Sequence, residues 1–583
     1  MKKRILFLTA LILLLAFCLQ GCGLLINAYR ELLTSPVRPD YSDGAVEYTD
    51  YVRPYSPRVE PVSFSQMQYE RPDAEALCRS LTEAGALAAE ASEDAVLEQY
   101  LPAYDAYVHF YTMSNLAYIR YTLDLNDSYY EEEYLWCEEQ APLVEKALED
   151  CYRAMAASPL RDALEKSQFG EGFFLGYDGE GIYSNPRVVD LMQQESDLQA
   201  QYMALCSDMS VEYEGQEVYI GEALSDPNIT YEAYFSLLDL YCEKYNALSA
   251  DLYIRLVKVR RALAEEAGYD SYAAFAYDVN YYRDYTPAQA EQYLQDVRTE
   301  LVPLFDGYSS ANLPETDAGE VMRLLEGTVN SLGRELQTAY GFMKAYNLYD
   351  ITTSSSKMPG SYETYLDDYE APFVYISPEG TLADLLTAAH EFGHFTDGYV
   401  NCNMTDSTDV AEVFSQGLEY LTLDAAELSV LQRSQLRRSK MNDALLTFLS
   451  QACYYDFECR VFALPDGELT REKLNSIFLQ CNRDYGLATE GFETYDSMGW
   501  FEVQHFFIAP YYMISYCVSN DLALQVYALE QETEGAGLTK YTDMLYTSAG
   551  ATLLAFAETN GLTSPFAEGR VAALADFLEA QLK

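Results

Sequence analysis

The sequence predicts a mainly α-helical protein, with one large helical body and a small β hairpin in the second half of the chain. Over most of residues 66–345, apolar residues recur every three or four positions, which is the period of an amphipathic helix. Two short tyrosine-rich runs, residues 361–367 and 371–376, are instead typical of paired strands. Hydrophobic residues make up 49% of the 583 residues, enough for a sizeable packed core.

The N-terminus has the pattern of an export signal. Residues 2–4 are basic, and residues 5–19 form an uncharged apolar run that is short of the roughly 20 residues of a membrane-spanning helix. Residues 19–22 resemble the bacterial lipobox, in which a peptidase cuts before a cysteine that then carries lipid. We therefore expect residues 1–21 to be a lipoprotein signal peptide and Cys22 to be lipidated, with the protein anchored to the cell membrane and facing the exterior. An ordinary secretory signal or an uncleaved anchor would also place the body outside the cytoplasm.

Composition divides the rest of the chain and limits its partners. Residues 22–65 are rich in Pro, Tyr, Asp and Ser and are predicted to be a tether. A helical N-terminal region, residues 66–345, and a C-terminal region, residues 346–583, follow; three of the four histidines lie in the C-terminal region, which we expect to be the catalytic region. The chain has 37 Lys and Arg against 92 Asp and Glu, a formal net charge of −55. This charge argues against nucleic acid or an anionic lipid surface as a partner, so we expect membrane contact only through the lipid.

The cysteines do not suggest a metal site. Without Cys18 and Cys22, ten of the twelve cysteines remain, and none of them forms a CxxC pair. We expect most of the ten to be buried free thiols.

His109 lies in a tyrosine-rich helical segment far from the other three histidines, and we interpret it as structural.

The strongest motif is His-Glu-Phe-Gly-His at residues 390–394. In a helix, residues four apart lie about 40° apart on one face, so His390 and His394 can bind the same ion. Glu391 lies beside the helix face that carries the two histidines, within reach of a water molecule bound to the metal. Thr381 and Asp384 have the spacing of a capping box that would start the helix. Gly393 costs about 1 kcal/mol of helix stability relative to Ala, which is tolerable if another backbone approaches there.

Catalytic zinc needs a third protein ligand and an open position. No histidine or suitable cysteine lies close to the motif, so we expect a carboxylate from a second helix. Residues 406–423 are predicted to form that helix, and they offer Glu412 and Glu419. Spacing alone does not choose between these two glutamates, because Glu412 could instead close a capping box with Asp409.

The segment that contains both glutamates carries a family resemblance. Its E-x-x-S-x-x-x-E pattern, from Glu412 through Ser415 to Glu419, is similar to the segment after HExGH in the thimet oligopeptidase and oligoendopeptidase F family of zinc metallopeptidases. The resemblance implies one zinc ion bound by His390, His394 and Glu412. It also implies that Glu419 supports the ligands from outside.

A third block extends the resemblance. Residues 499–507 and 510–516 are similar to the family's W-x-x-x-x-H-F-Y and P-F-Y-x-Y-x-Y stretches. There, a histidine and one or two tyrosines hydrogen-bond the substrate and its tetrahedral intermediate. The resemblance thus implies these roles for His505, Tyr512 and Tyr516, with Tyr511 as the rival of Tyr512.

Together these features predict a zinc-dependent metalloendopeptidase that hydrolyses short unfolded peptides outside the cell. A water activated by the metal would be the nucleophile, and Glu391 the general base. The resemblance implies a helical body that encloses a deep substrate channel, and the hairpin's edge strand could align an extended peptide.

A dipeptidyl carboxypeptidase-like enzyme is the alternative within this class. A non-catalytic lipoprotein that binds peptides or zinc is the alternative outside it, although an intact Glu391 argues against it. A plain structural lipoprotein would leave the histidine pattern unexplained.

Overall fold

A computed structural model of the chain describes residues 59–583, except residues 171, 178–181, 183–184, 207–208, 226–228, 306–312, 355, 404 and 406. The predicted signal peptide, Cys22 and most of the predicted tether lie outside the described residues. The helices are α1 Ala74–Leu87, α2 Glu93–Leu123, α3 Ser128–Ala156, α4 Arg161–Leu164, α5 Pro186–Cys206, α6 Ile220–Ser225, α7 Tyr231–Glu266, α8 Tyr272–Phe275, α9 Pro287–Glu300, α10 Ala318–Leu332, α11 Arg334–Ala345, α12 Asp384–Asn401, α13 Thr408–Ala425, α14 Val430–Phe462, α15 Arg471–Asp484, α16 Glu493–Met498, α17 Gln504–Ile508, α18 Ile514–Glu532, α19 Ala536–Met544, α20 Leu553–Thr559 and α21 Arg570–Leu582. The predicted mainly helical fold is confirmed.

The first three long helices form a bundle with a hydrophobic core of its own. Leu81, Phe110 and Cys137, one from each helix, are fully buried members of that core. The C-terminal end of α2 and most of the later helices share a second, larger core. Packing of these apolar faces, rather than helix propensity, supplies most of the stability of such helices.

The packed body begins slightly before residue 66. The ring of Phe64 lies 4.3 Å from that of Phe373, and its backbone N–H donates a hydrogen bond to the carbonyl of Tyr346. The last residues of the predicted tether therefore contact the body.

Two small sheets interrupt the helices. Strands β1, Ser210–Tyr213, and β2, Gln216–Tyr219, form an antiparallel hairpin in the region predicted to be helical. The second sheet has the strand order β3-β5-β4, with β3 at Tyr349–Ile351, β4 at Gly360–Leu366 and β5 at Ala371–Ser377.

The second sheet contains the predicted hairpin. Strands β4 and β5 pair antiparallel within one residue of the expected bounds. Strand β3, which was not predicted, pairs parallel to β5, so β5 is central. Among the described residues, β4 is therefore an edge strand, and its face turns Ser361 towards α12.

Helices α12 and α13 follow the sheet and pack against each other. Helix α13 lies within two residues of its predicted bounds, whereas α12 begins at Asp384 rather than near Thr381. The predicted capping box is only half present. The Asp384 carboxylate accepts the N–H of Thr381, but the Thr381 hydroxyl accepts the N–H of Ala383 instead of that of Asp384. The chain therefore makes one more turn before the helix starts.

Gly393 allows helices α12 and α13 to approach each other closely. A Cβ atom at this position would lie 2.6 Å from both the carbonyl oxygen of Phe414 and the Cα of Ser415. Real Cβ contacts do not approach so closely, so only glycine fits at this crossing. The expectation that another backbone approaches Gly393 is confirmed.

Two further features concern the chain as a whole. All ten cysteines of the described chain are free thiols, and seven of them are buried, which agrees with the prediction. Among the described helices, none combines the length and apolar composition that a bilayer crossing requires.

Candidate metal and catalytic site

The structure brings three of the predicted site residues together where α12 crosses α13. His390 and His394 lie one turn apart on α12, and Glu412 reaches them from α13. The Oε2 atom of Glu412 is 3.6 Å from Nε2 of His390 and 3.8 Å from Nε2 of His394. One donor atom from each residue lies within 4.8 Å of the other two. The three residues form a group that could hold a metal ion.

The donor atoms fit a divalent transition metal such as zinc. Burial and the neighbouring His390 lower the pKa of His394 well below its usual value, so its imidazole is neutral. Its Nε2 atom is buried without a hydrogen-bond partner among the described residues. A buried lone pair without a partner is costly, and a metal bound there would remove that cost. Two imidazoles and one carboxylate are a usual ligand set of catalytic zinc.

Glu419 lies about two turns after Glu412 on α13 and contacts the Nδ1 side of the His390 ring, whereas Glu412 lies on the Nε2 side. Its Oε1 atom is 2.9 Å from Nδ1 of His390, and its Oε2 atom accepts a hydrogen bond of 2.6 Å from Nζ of Lys440. Burial favours the neutral acid, but Lys440 and His390 outweigh it and lower the pKa of Glu419. The ionised Glu419 thus fixes the proton of His390 on Nδ1 and turns Nε2 towards Glu412.

The same contacts set the charge of His390. Burial disfavours its protonated form, but the hydrogen bond that His390 donates to Glu419 and the charges of the nearby carboxylates raise the pKa of His390 to about 9. Metal binding would therefore displace a proton from this ring. Lys440 lies on α14 outside any local motif, so no signal in the sequence marks it as a partner of Glu419.

Glu391 lies beside the three candidate ligands and is held by the hairpin. The hydroxyl of Ser361, on β4, donates a hydrogen bond of 2.6 Å to Oε1 of Glu391. The Oε2 atom is buried without a partner among the described residues. Burial raises the pKa of Glu391 to about 7, while His390 and the Ser361 hydroxyl oppose the rise. A carboxylate with such a pKa can exchange a proton at neutral pH.

The tyrosine-rich block brings a second set of polar groups to the site. The hydroxyl of Tyr512 donates a hydrogen bond of 3.1 Å to Oε1 of Glu412. The rings of His505 and Tyr512 lie 5.1 Å apart, and the Tyr516 hydroxyl is 3.5 Å from Nε2 of His505. Burial lowers the pKa of His505 to about 4, so its imidazole is neutral.

Two other candidates lie elsewhere. Tyr511, the rival of Tyr512, points away from the site, and its ring packs against Tyr455 and Phe462. His109 is far from the metal group, with Nδ1 2.6 Å from Oδ2 of Asp368 in the turn between β4 and β5. The predicted lipidation site, Cys22, is outside the described residues.

The helical fold, with an HExxH helix crossed by a glutamate-bearing helix, defines the chain as a metallopeptidase. Family models agree with this class. The model of the Peptidase M3 N-terminal domain matches residues 64–178, and that of Peptidase family M3 matches residues 340–572. The chain belongs to peptidase family M3.

Solved structures share the fold. One provisionally identified as an oligoendopeptidase F has 24% identity and a TM-score of 0.75, and the match covers 89% of this chain and 98% of that chain. PZ peptidase A with inhibitor 2 has 22% identity and a TM-score of 0.76, with 89% and 99% covered. A provisional oligoendopeptidase F from Bacillus anthracis str. Ames has 23% identity and a TM-score of 0.73, with 90% and 98% covered. No curated protein matches the sequence.

Proposed function

We propose that the chain is a zinc-dependent endopeptidase that cleaves short unfolded peptides outside the cell. The observation that carries this proposal is the convergence of His390, His394 and Glu412, with donor atoms within 4.8 Å of one another, beside the buried carboxylate of Glu391. These three residues would hold one zinc ion. Bound zinc supplies Lewis acidity, which lowers the pKa of a water molecule and polarises a carbonyl group.

The protein's own groups would perform the proton transfers. Glu391 accepts a proton from the attacking water and later passes it to the leaving amine. Burial raises the pKa of Glu391, and a carboxylate with a raised pKa is the stronger base for the first of these transfers. Because Oε1 of Glu391 accepts the hydrogen bond from Ser361, Oε2 is the oxygen left to accept the proton of the attacking water.

Three donors are available for the negative charge that develops on the attacked carbonyl oxygen. Tyr512, Tyr516 and His505 form a connected group whose nearest member, Tyr512, touches Glu412. Donors fixed in a water-poor site stabilise such charge without reorganisation. The Tyr512 hydroxyl would exchange its bond with Glu412 for one with the substrate during the reaction.

The position of β4 suggests how the peptide is held. Ser361 ties this edge strand directly to Glu391. An extended peptide that pairs with the N-terminal part of β4, near Ser361, would run past the proposed metal group, with backbone hydrogen bonds that do not depend on its sequence. A folded protein does not present a free extended strand, so this mode favours short unfolded peptides. The deep channel expected from the family resemblance would act in the same direction.

The charged groups at the site favour internal cleavage over release of a C-terminal dipeptide. An obligate carboxypeptidase needs a cation for the terminal carboxylate of its substrate. In the described part of the chain, Lys440 contacts Glu419 beside the candidate ligands and Arg283 contacts Asp409 one turn before Glu412, and both cations are paired. Lys440 bonds Glu419, and Arg283 lies fully buried with Nε 3.4 Å from Oδ2 of Asp409.

A lipid on Cys22 would hold the enzyme at the outer face of the cell membrane. This part of the proposal rests on the sequence of residues 1–22. It is tested by replacing Cys22 with alanine in the full-length protein. We expect the wild-type protein to incorporate labelled fatty acid, and the variant to incorporate none. Equal labelling of the two proteins would refute the lipid anchor.

The activity is tested with a peptide library that contains free and C-terminally amidated members. Chain 23–583 is incubated with the library, with and without a chelator, and the products are read by mass spectrometry. We expect internal cleavage of both kinds of peptide, loss of cleavage with the chelator and recovery with zinc. Glu391→Gln should bind zinc without turnover. Dipeptides released only from free C-termini would indicate the carboxypeptidase alternative, and zinc binding without cleavage the non-catalytic one.

A further inference from the structure

The backbone immediately before Tyr512 is in an unfavourable conformation. Tyr511 has φ +65°, in the left-handed region that a bulky residue rarely adopts. Such a conformation costs free energy and persists only where surrounding contacts enforce it. The residue that it orients, Tyr512, is the one whose hydroxyl meets Glu412.

Two buried polar side chains hold the backbone of this residue, one through its N–H group and one through its carbonyl group. The N–H of Tyr511 donates a hydrogen bond of 2.9 Å to Oε2 of Glu458, on α14. The carbonyl of Tyr511 accepts a hydrogen bond of 3.0 Å from Nη1 of Arg283, which lies in the segment between α8 and α9. The side chains of both partners are fully buried, so water does not compete for these bonds.

Arg283 also contacts the helix that carries Glu412. Its Nη2 atom donates a hydrogen bond of 2.7 Å to the hydroxyl of Ser515, and its Nε atom lies 3.4 Å from Oδ2 of Asp409. Asp409 is one helical turn before Glu412 on α13. A single guanidinium group thus joins the turn that presents Tyr512 to the helix that presents Glu412.

The surroundings of Arg283 restrict its orientation. Its guanidinium lies over the rings of Tyr277, Tyr281 and Tyr285, at 4.5, 4.4 and 5.5 Å from their centroids. Cation–π contacts and a rigid planar fork of donors suit arginine, and a lysine cannot reproduce them. A buried charge is also costly unless it is paired and hydrogen-bonded, so this arrangement tolerates little change.

We infer that Arg283 is a positioning residue of the proposed peptidase site, which sets the Tyr512 hydroxyl against Glu412 by fixing the left-handed backbone of Tyr511. The inference rests on the proposed function for its consequence in catalysis. Arg283 does not touch the reacting groups. It acts through Tyr512, so its effect on turnover disappears when the Tyr512 hydroxyl is absent.

A double-mutant cycle tests this coupling in the zinc-loaded enzyme with a blocked peptide substrate. Tyr512→Phe should lower kcat about 10²-fold, and Arg283→Lys about 10-fold or more, with KM changed less than about 3-fold. The double variant should be no slower than Tyr512→Phe within about 2-fold. Losses that multiply in the double variant would overturn the inference. Arg153→Lys is the matched control, because Arg153 also bonds a main-chain carbonyl, that of Tyr177, but far from the site.

A milder variant covers the case in which Arg283→Lys does not fold. Ser515→Ala removes one acceptor of Arg283 and leaves the guanidinium in place. It should lower kcat several-fold in the wild-type background and leave kcat unchanged in the Tyr512→Phe background. An equal loss in both backgrounds would overturn the inference.

A spectroscopic measurement separates failure of this inference from failure of the proposed function. With 3-fluorotyrosine at position 512, the fluorine resonance should shift or broaden in Ser515→Ala and Arg283→Lys, and stay unchanged in Arg153→Lys. This readout needs no turnover. Unmoved resonances in both site variants would overturn the positioning role even if peptides are cleaved. A wild-type protein that binds zinc but cleaves no peptide would refute the proposed function and leave this readout intact.

Discussion

Replacing Gly393 by alanine should separate the two helices that carry the candidate ligands. The new Cβ atom would lie 2.6 Å from two main-chain atoms of α13, the Phe414 oxygen and the Ser415 Cα, whereas ordinary contact begins at 3.4 Å. Helices α12 and α13 would have to move apart by about 0.8 Å. No side-chain rotation can relieve the clash, because both atoms belong to the backbone.

Two effects of opposite sign set the size of the change in stability. Alanine favours a helix interior over glycine by about 1 kcal/mol. Overpacking of a dense core costs about 1–3 kcal/mol, and more against rigid atoms. We expect a net destabilisation of about 2 kcal/mol. Glu412 lies on the displaced helix, 3.6 and 3.8 Å from the two histidine nitrogens, so zinc affinity should also fall about 10- to 100-fold.

Chelator competition measures the zinc affinity, and thermal unfolding measures the stability. Gly327→Ala is the matched control, since Gly327 is also inside a helix, α10, but the nearest atoms to its Cβ would be side-chain atoms of Glu427, the first at 3.3 Å. This control should keep its zinc affinity and unfold at the wild-type temperature or above. A Gly393→Ala protein with unchanged zinc affinity and stability would refute the close approach of α12 and α13.

Three further changes test other parts of the site. Lys440→Met should weaken zinc binding about 10- to 100-fold, because Glu419 loses the charge that keeps it ionised; unchanged affinity would contradict that role. His505→Phe should lower kcat about 10²- to 10³-fold with little change in KM, whereas a loss confined to KM would argue against a transition-state contact. Asp368 raises the pKa of His109, so this pair stabilises the fold below the unfolded pKa of about 6.5 and the effect is lost as pH rises through the folded pKa. The difference in Tm between wild type and His109→Gln should therefore shrink as pH rises from about 6 to 9, and a growing difference would contradict the pairing.

Local patterns in the sequence predicted the elements that depend on neighbours along the chain. The four-residue spacing of His390 and His394 already places both rings on one face of a helix. The Thr286-Pro287 pair has the pattern of a helix start, and α9 does begin there, with Thr286 as its cap and Pro287 in its first position. Both features need only short-range geometry.

Contacts between distant segments were not predictable in this way. Strand β3 is only three residues long, Tyr349–Ile351, and exists because β5 offers it a parallel partner. Arg283 lies more than 120 positions before Asp409, and nothing in its own segment marks it as a partner of the site. Spacing left Glu412 and Glu419 undecided as well. The choice depends on how α13 is rotated against α12, which the close contact at Gly393 fixes.

Crystals of the zinc-loaded protein, measured on both sides of the zinc absorption edge, test the central claim most directly. The account predicts one strong anomalous peak bounded by Nε2 of His390, Nε2 of His394 and the carboxylate of Glu412, with Glu391 beside it and not bound to it. An absent peak, or a peak from which the Glu412 side chain points away, would contradict the account.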